Sequence, residues 1–287
     1  MPFVVKKLQR RYRIIHFSDL HAALCSFRHG GLFDKRLLGR LNFLLRRRHA
    51  FRAERIIEAA KVFASLQADL FVCTGDLTSV GDLEEFALGE RLLEPILELA
   101  NGRFVYIPGN HDAYIQNKDC RKALEDTFYR LNGKSFQLHD LPLRQVVGPA
   151  ELILCNAARP SPIYSSNGAF SNNGWERLEN LLHAPKSTPF RLLLEHFPTL
   201  DAAARPLSWR RRLKQAPALL KLQQDNHFDA LLCGHIHRPF VLDPPHPRII
   251  CAGSLTLHDS FAIIDLDPET NSIECTIKTL SQIQPQP

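Results

Sequence analysis

The chain has 287 residues and a formal net charge of +6, with 45% hydrophobic and 23% charged residues. That balance is ordinary for a globular domain and excludes a disordered chain, a collagen-like repeat and a polytopic membrane protein. The positive charge makes an anionic partner worth seeking without naming the anion.

Taken in chain order, residues 1–7 have neither the apolar stretch nor the cleavage site of a secretory signal. Strand-length apolar runs come next, at 13–17, 70–73, 104–107, 152–155, 191–194, 230–233, 248–251 and 261–266. Segments of helical period lie at 53–66, 82–99, 120–131, 171–183 and 217–224. Such alternation predicts an α/β domain with covered sheets. Near the end, runs at 248–251, 261–266 and 273–279 have no helical segment between them, which predicts an antiparallel sheet edge. No linker divides the chain, so one domain spans 1–287, with a frayed tail at 282–287. Seven cysteines are scattered, and Cys73, Cys155, Cys233 and Cys251 sit in apolar runs as small buried hydrophobes. Without a C-x-x-C pair, the expectation is a reduced, cytoplasmic protein.

The chemistry lies in the turns at the ends of the apolar runs. The first run leads into Ser18-Asp19-Leu20-His21, the second into Thr74-Gly75-Asp76 and the third into Pro108-Gly109-Asn110-His111-Asp112. Two later runs lead into Glu195-His196 and Gly234-His235-Ile236-His237. Carboxylate, amide and imidazole groups thus arrive together at strand carboxyl ends, where α/β sheets collect ligands, and they suit divalent cations. Asp19 and His21 lie two apart on an extended segment, so they reach one ion only if the chain bends after the strand. Any one of these short motifs occurs by chance; all five in order, at strand ends, do not.

The ordered pattern D-x-H, G-D, G-N-H-D, H and G-H-x-H, running from about Arg13 to Ser254, resembles the calcineurin-like metallophosphoesterase superfamily. The resemblance implies a four-layer αββα sandwich with a dinuclear metal centre. Asp19, His21, Asp76 and His237 would hold one metal; Asp76 would bridge to a second held by Asn110, His196 and His235. Manganese, iron and zinc all suit that donor set. The expected chemistry is direct attack of a metal-bridging hydroxide on phosphorus, with no phosphoenzyme. His111 would protonate the leaving oxygen or stabilise the transition state, and Asp112 would orient its imidazole.

Two basic segments lie within this pattern, one just after its first loop and one just before its last. Residues 28–55 hold nine Lys/Arg and two acidic residues, a balance of +7. Within them, an amphipathic helix at about 28–52 has Leu37, Leu38, Leu41, Leu44 and Leu45 on one arc and includes Arg46, Arg47 and Arg48. Residues 205–222 hold six basic residues and no acidic one, including Arg210 and Arg211 beside Trp209. The rest of the chain is therefore left at −7, so any attraction for anions is local. Arg46, Arg47, Arg48, Arg210 and Arg211 are candidate contacts to a phosphate-bearing substrate or an anionic membrane surface. The favoured expectation is a lipid pyrophosphate such as UDP-diacylglucosamine of lipid A synthesis, cut at the inner face of the membrane. The alternative is cyclic nucleotide phosphodiesterase chemistry. A nuclease is disfavoured because few aromatics interleave with the charges, and a non-catalytic scaffold ranks last.

Overall fold

A computed structural model describes residues 11–24, 52–162 and 164–283. The amphipathic insertion at 28–52, with Arg46, Arg47 and Arg48, falls almost wholly outside the described residues. Of the expected frayed tail, Gln282 closes a short 3-10 helix, Leu280–Gln282, and residues 284–287 are outside the description.

Two sheets carry the fold. The first orders its strands β11 (Ser272–Thr279), β10 (Ser260–Asp267), β1 (Tyr12–Phe17), β2 (Leu70–Cys73) and β3 (Phe104–Tyr106). The second orders β4 (Leu143–Val147), β5 (Ala150–Leu154), β6 (Phe190–Leu194), β7 (Ala230–Cys233), β9 (Ile249–Cys251) and β8 (Phe240–Leu242). Strands β1, β2 and β3 pair in parallel, as do β5, β6, β7 and β9.

Period-two alternation divides each buried strand between two layers. In the second sheet Leu152, Leu154, Leu192, Leu194, Leu232 and Ile250 join the core shared with the first sheet. Their neighbours Ile153, Leu193, Leu231 and Ile249 face the other way and pack with α4 (Asn172–His183) and α5 (Ala216–Gln224) through Leu178, Leu182 and Leu219. On the first sheet, Phe63 of α1 (Glu54–Ala64) lies 5.6 Å from Phe17 and 6.1 Å from Phe71 between ring centroids. Residues of α2 (Leu83–Ala100) and α3 (Lys118–Leu131) join the same core. The expected α/β fold with two helix-flanked sheets is therefore present.

Several details differ from the sequence expectation. The run at 248–251 forms β9, parallel to β7 in the second sheet, whereas β10 and β11 make the antiparallel edge of the first. A short helix, α6 (Leu255–His258), makes the passage between sheets. Edge strand β4 was not expected either: Leu143–Val147 alternates between half-buried and exposed positions, so it lacks the continuous apolar run of a strand covered on both faces.

Candidate metal centre

The strand-end loops converge because they are hydrogen-bonded to one another. Past β1 the chain continues beside the loop after β2: Asp19 N–H donates to Gly75 C=O at 3.0 Å, His21 N–H to Asp76 C=O at 2.9 Å. The bend needed to turn Asp19 and His21 toward one point is supplied by positive φ, 55° and 49° respectively. Asp76, His235 and His237 share that conformation, with φ of 54°, 72° and 63°. For residues with a Cβ this costs roughly 1–2 kcal/mol apiece, and the surrounding loop bonds sustain it. Glycine is required where two loops touch: a Cβ on Gly109 would lie 2.2 Å from Asp76 Oδ1.

Asp19, His21, Asp76 and His237 present ligand atoms that all lie within 4.8 Å of one another. His21 Nε2 and His237 Nε2 approach to 3.0 Å, and His237 Nε2 lies 3.4 Å from Asp19 Oδ1. Beside them is a second set. Asn110 Oδ1 is 2.7 Å from His235 Nδ1 and 3.2 Å from His196 Nε2. Asp76 Oδ2 is 3.4 Å from His196 Nε2 and 3.8 Å from His21 Nε2, which places it between the sets. This oxygen is buried with no hydrogen-bond partner, a costly arrangement for a carboxylate unless a cation completes it.

Backbone carbonyls fix which imidazole nitrogens face the centre. His196 Nδ1 donates to Thr74 C=O at 2.7 Å and His235 Nε2 to Arg211 C=O at 2.8 Å. The remaining nitrogen of each ring then carries a lone pair toward Asn110 and Asp76, as metal-ligating histidines require. Electrostatics point the same way. Burial, with the nearby Asp76 charge adding to it, pushes the Asp19 carboxyl up to about 8. Burial also opposes charge on Asp76, but the surrounding His196, His111 and His21 hold its carboxyl well below the usual range. Burial disfavours a proton on His196, yet the adjacent Asp76 raises it to about 10. Without cations, protons must balance these crowded carboxylates; divalent cations would do so through the lone pairs already aimed inward.

His111 flanks the first set, its ring 4.8 Å from that of His21, and its backbone N–H donates to Asp76 Oδ1 at 2.7 Å. Its partner differs from the expected one. Nδ1 lies 2.5 Å from Ser79 C=O, whereas Asp112 accepts from the N–H groups of Leu77, Thr78 and Gly109 and from the hydroxyls of Thr78 and Tyr106. Asp112 thus ties the loop after β2 to the loop after β3 rather than orienting the imidazole.

Arg210 and Arg211 lie on the loop between β6 and α5, with exposed side chains. The backbone of that loop reaches the centre through Arg211 C=O, and Arg210 C=O accepts from Ser166 N–H at 2.8 Å. Trp209 and Tyr164 are 56% and 63% exposed, with ring centroids 6.2 Å apart, and the Arg210 guanidinium lies 5.2 Å over the Trp209 ring. Sequence inspection missed this aromatic pair because Tyr164 and Trp209 are far apart in the chain. It also missed Glu85, whose only signal was a place in an acidic first turn of a helix.

Two helix-flanked sheets thus bring an Asp/His cluster that could hold metal to their carboxyl ends. The profile of calcineurin-like phosphoesterases matches residues 12–239, so the chain belongs to that family. No curated sequence relative matches. Among solved structures, the chain is similar in fold to a purple acid phosphatase from yellow lupin (Lupinus luteus) seeds, at 10% identity and TM-score 0.62, covering 96% of this chain and 52% of that one. It is also similar to a dimetal phosphatase from Danio rerio, at 14% identity and TM-score 0.59, covering 95% of this chain and 100% of that one. A third is GAP50, the anchor in the inner membrane complex of Plasmodium, at 14% identity and TM-score 0.56, covering 96% and 87%. The chain spans about half the length of the lupin protein. Among the described residues, no helix is long and apolar enough to cross a membrane.

Proposed function

We propose that the protein hydrolyses a phosphodiester or pyrophosphate bond in a lipid-linked substrate presented at an anionic bilayer surface, with UDP-diacylglucosamine of lipid A synthesis the favoured case. The observation that carries the chemistry is Asp76 Oδ2, buried, without a hydrogen-bond partner and set between two groups of ligand atoms. Bound there by Asp19, His21, Asp76 and His237 on one side and Asp76, Asn110, His196 and His235 on the other, two cations would supply Lewis-acid charge and acidify water near neutral pH. His111 holds its Nδ1 proton against Ser79 C=O, so the proton it passes to the leaving oxygen is the one on Nε2. Asp112 keeps the two loops that carry Asp76 and Asn110 in register. Arg210 and Arg211, on the loop whose backbone meets His235, offer positive charge for the phosphate groups.

The surface half of the reading is supported by Trp209, Tyr164 and the arginines around them. Exposed indole and phenol rings beside cationic side chains suit a headgroup region, where an amphipathic ring has one apolar and one wet side. The two rings meet at 63°, edge to face, with a guanidinium over Trp209. That geometry leaves no parallel slot for sandwiching a nucleobase.

Two experiments test these halves. His111→Ala, loaded with manganese and assayed on bis(4-nitrophenyl) phosphate, is expected to lose activity by roughly 100-fold or more while retaining its metal. Loss of metal in that variant sinks the assignment of His111. Full-length protein is expected to bind vesicles containing anionic lipid, and to release them when Arg46, Arg47 and Arg48 become Ser. Fast cleavage of a cyclic nucleotide without vesicles would instead favour the phosphodiesterase reading.

A further inference from the structure

A buried carboxyl group lies one peptide away from the His111 ring. Glu85, in the first turn of α2, is 1% exposed. Its Oε2 accepts from Ser79 N–H at 3.1 Å and Val80 N–H at 2.7 Å, and its Oε1 from Leu24 N–H at 3.4 Å. The Val80 N–H and the Ser79 C=O belong to one planar peptide unit. That same carbonyl faces His111 Nδ1 at 2.5 Å. A carboxyl oxygen bonded to the N–H side of an amide polarises it, which makes the carbonyl a stronger acceptor and fixes its direction. An unbroken line therefore runs from Glu85 through one peptide to the imidazole.

We propose that Glu85 is a positioning residue for His111: it holds the Ser79–Val80 peptide so that Nδ1 keeps its proton and Nε2 is the atom that exchanges one with substrate. A carboxylate bonded directly to His111 would do the same work at shorter range, but the acid nearest in sequence, Asp112, is committed to five donors elsewhere. Glu85 also accepts from Leu24 N–H at 3.4 Å. The inference rests on the role given to His111 above.

The test uses full-length protein loaded with manganese and bis(4-nitrophenyl) phosphate as probe. Glu85→Ala is expected to lower kcat roughly 10–100-fold, the range seen when the outer partner of a functional histidine is removed, with KM and metal content little changed. Glu85→Gln, whose amide oxygen can take the place of Oε2, is expected to recover most of the rate. In a His111→Ala background, Glu85→Ala is expected to cost nothing further, because the two residues act as one unit. In the metal-free protein, the downfield NMR signal of the His111 Nδ1 proton is expected to persist in Glu85→Gln and to exchange faster in Glu85→Ala. Should Glu85→Ala not fold, Glu85→Asp withdraws the carboxylate from Val80 and carries the same expectations. Additive losses in the double variant, or a folded Glu85→Ala with the wild-type kcat, overturn the inference. Wild-type kcat in His111→Ala alone overturns the reading of His111 instead.

Discussion

Replacing Asp112 by Ala separates a structural carboxylate from a catalytic one. The side chain is 2% exposed and accepts from three backbone N–H groups, those of Leu77 at 3.2 Å, Thr78 at 2.9 Å and Gly109 at 2.9 Å. It also accepts from Tyr106 Oη at 2.8 Å and Thr78 Oγ1 at 3.0 Å. Hydroxyls can turn to other acceptors, and Thr78 already has His111 C=O at 3.2 Å. Backbone N–H groups cannot turn, so alanine strands three buried donors at about 1–3 kcal/mol each. Relief acts in the other direction, because burial and the nearby Asp76 already push the Asp112 carboxyl up. The net expectation is a loss of about 3–5 kcal/mol, as for breaking one side of a buried charged network. In a chain of this size that lowers Tm by roughly 6–20 °C. The assay is thermal and urea unfolding of the metal-free protein, where cation binding does not add to the stability of the folded state. Asp112→Asn keeps one carbonyl oxygen for part of the donor set and is expected to fall between. If Asp112→Ala melts within about 1 kcal/mol of wild type yet loses activity, Asp112 acts on the imidazole after all and the loop-tying role is refuted.

Other perturbations probe the same region. Gly109→Ala puts a methyl group 2.2 Å from Asp76 Oδ1 and 2.4 Å from Asp76 N, so elemental analysis is expected to find the variant depleted of metal; a full complement would refute the close approach. His16 is buried in β1 against Thr74 Oγ1 at 2.8 Å, and burial holds its imidazole down to about 3. A histidine depressed in the folded state contributes stability above its unfolded value near 6.5 and loses it as pH falls toward 3. Between pH 6.5 and 5 that loss is about 2 kcal/mol. His16→Gln is expected to flatten this part of the profile in urea melts at pH 7 and 5; parallel profiles would show that His16 titrates normally.

Much of the fold was legible because its strands are covered on both faces. Such strands read as continuous apolar runs, and β2 and β7 coincide with the runs at 70–73 and 230–233. The half-exposed edge strand β4 left no such run. The candidate ligands were legible for a related reason: Asp, Asn and His directly after an apolar run have no core to fill, so their position marks chemistry. Their partners were not legible. Thr74, Ser79 and Arg211 act through main-chain carbonyls, which look alike for every residue type. Asp112 lay next to His111 in sequence, and proximity suggested a pairing that the loop geometry does not make.

The sequence by itself determined which residues could hold cations, in what order the strand ends deliver them, and where positive charge is concentrated. Spacing puts Asp, Asn and His at strand ends, and the family resemblance is what assigns them to two cations. Only the tertiary structure decided that five of those residues bend into positive φ, that Asp76 Oδ2 stands between two ligand sets, and that the carboxyl serving His111 sits on a helix start six residues beyond Ser79. These depend on loops from β1, β2, β3, β6 and β7 meeting at one edge of two sheets. Hydrogen bonds between residues more than 50 positions apart set that meeting, as Asp19 N–H to Gly75 C=O does, and linear order does not encode them.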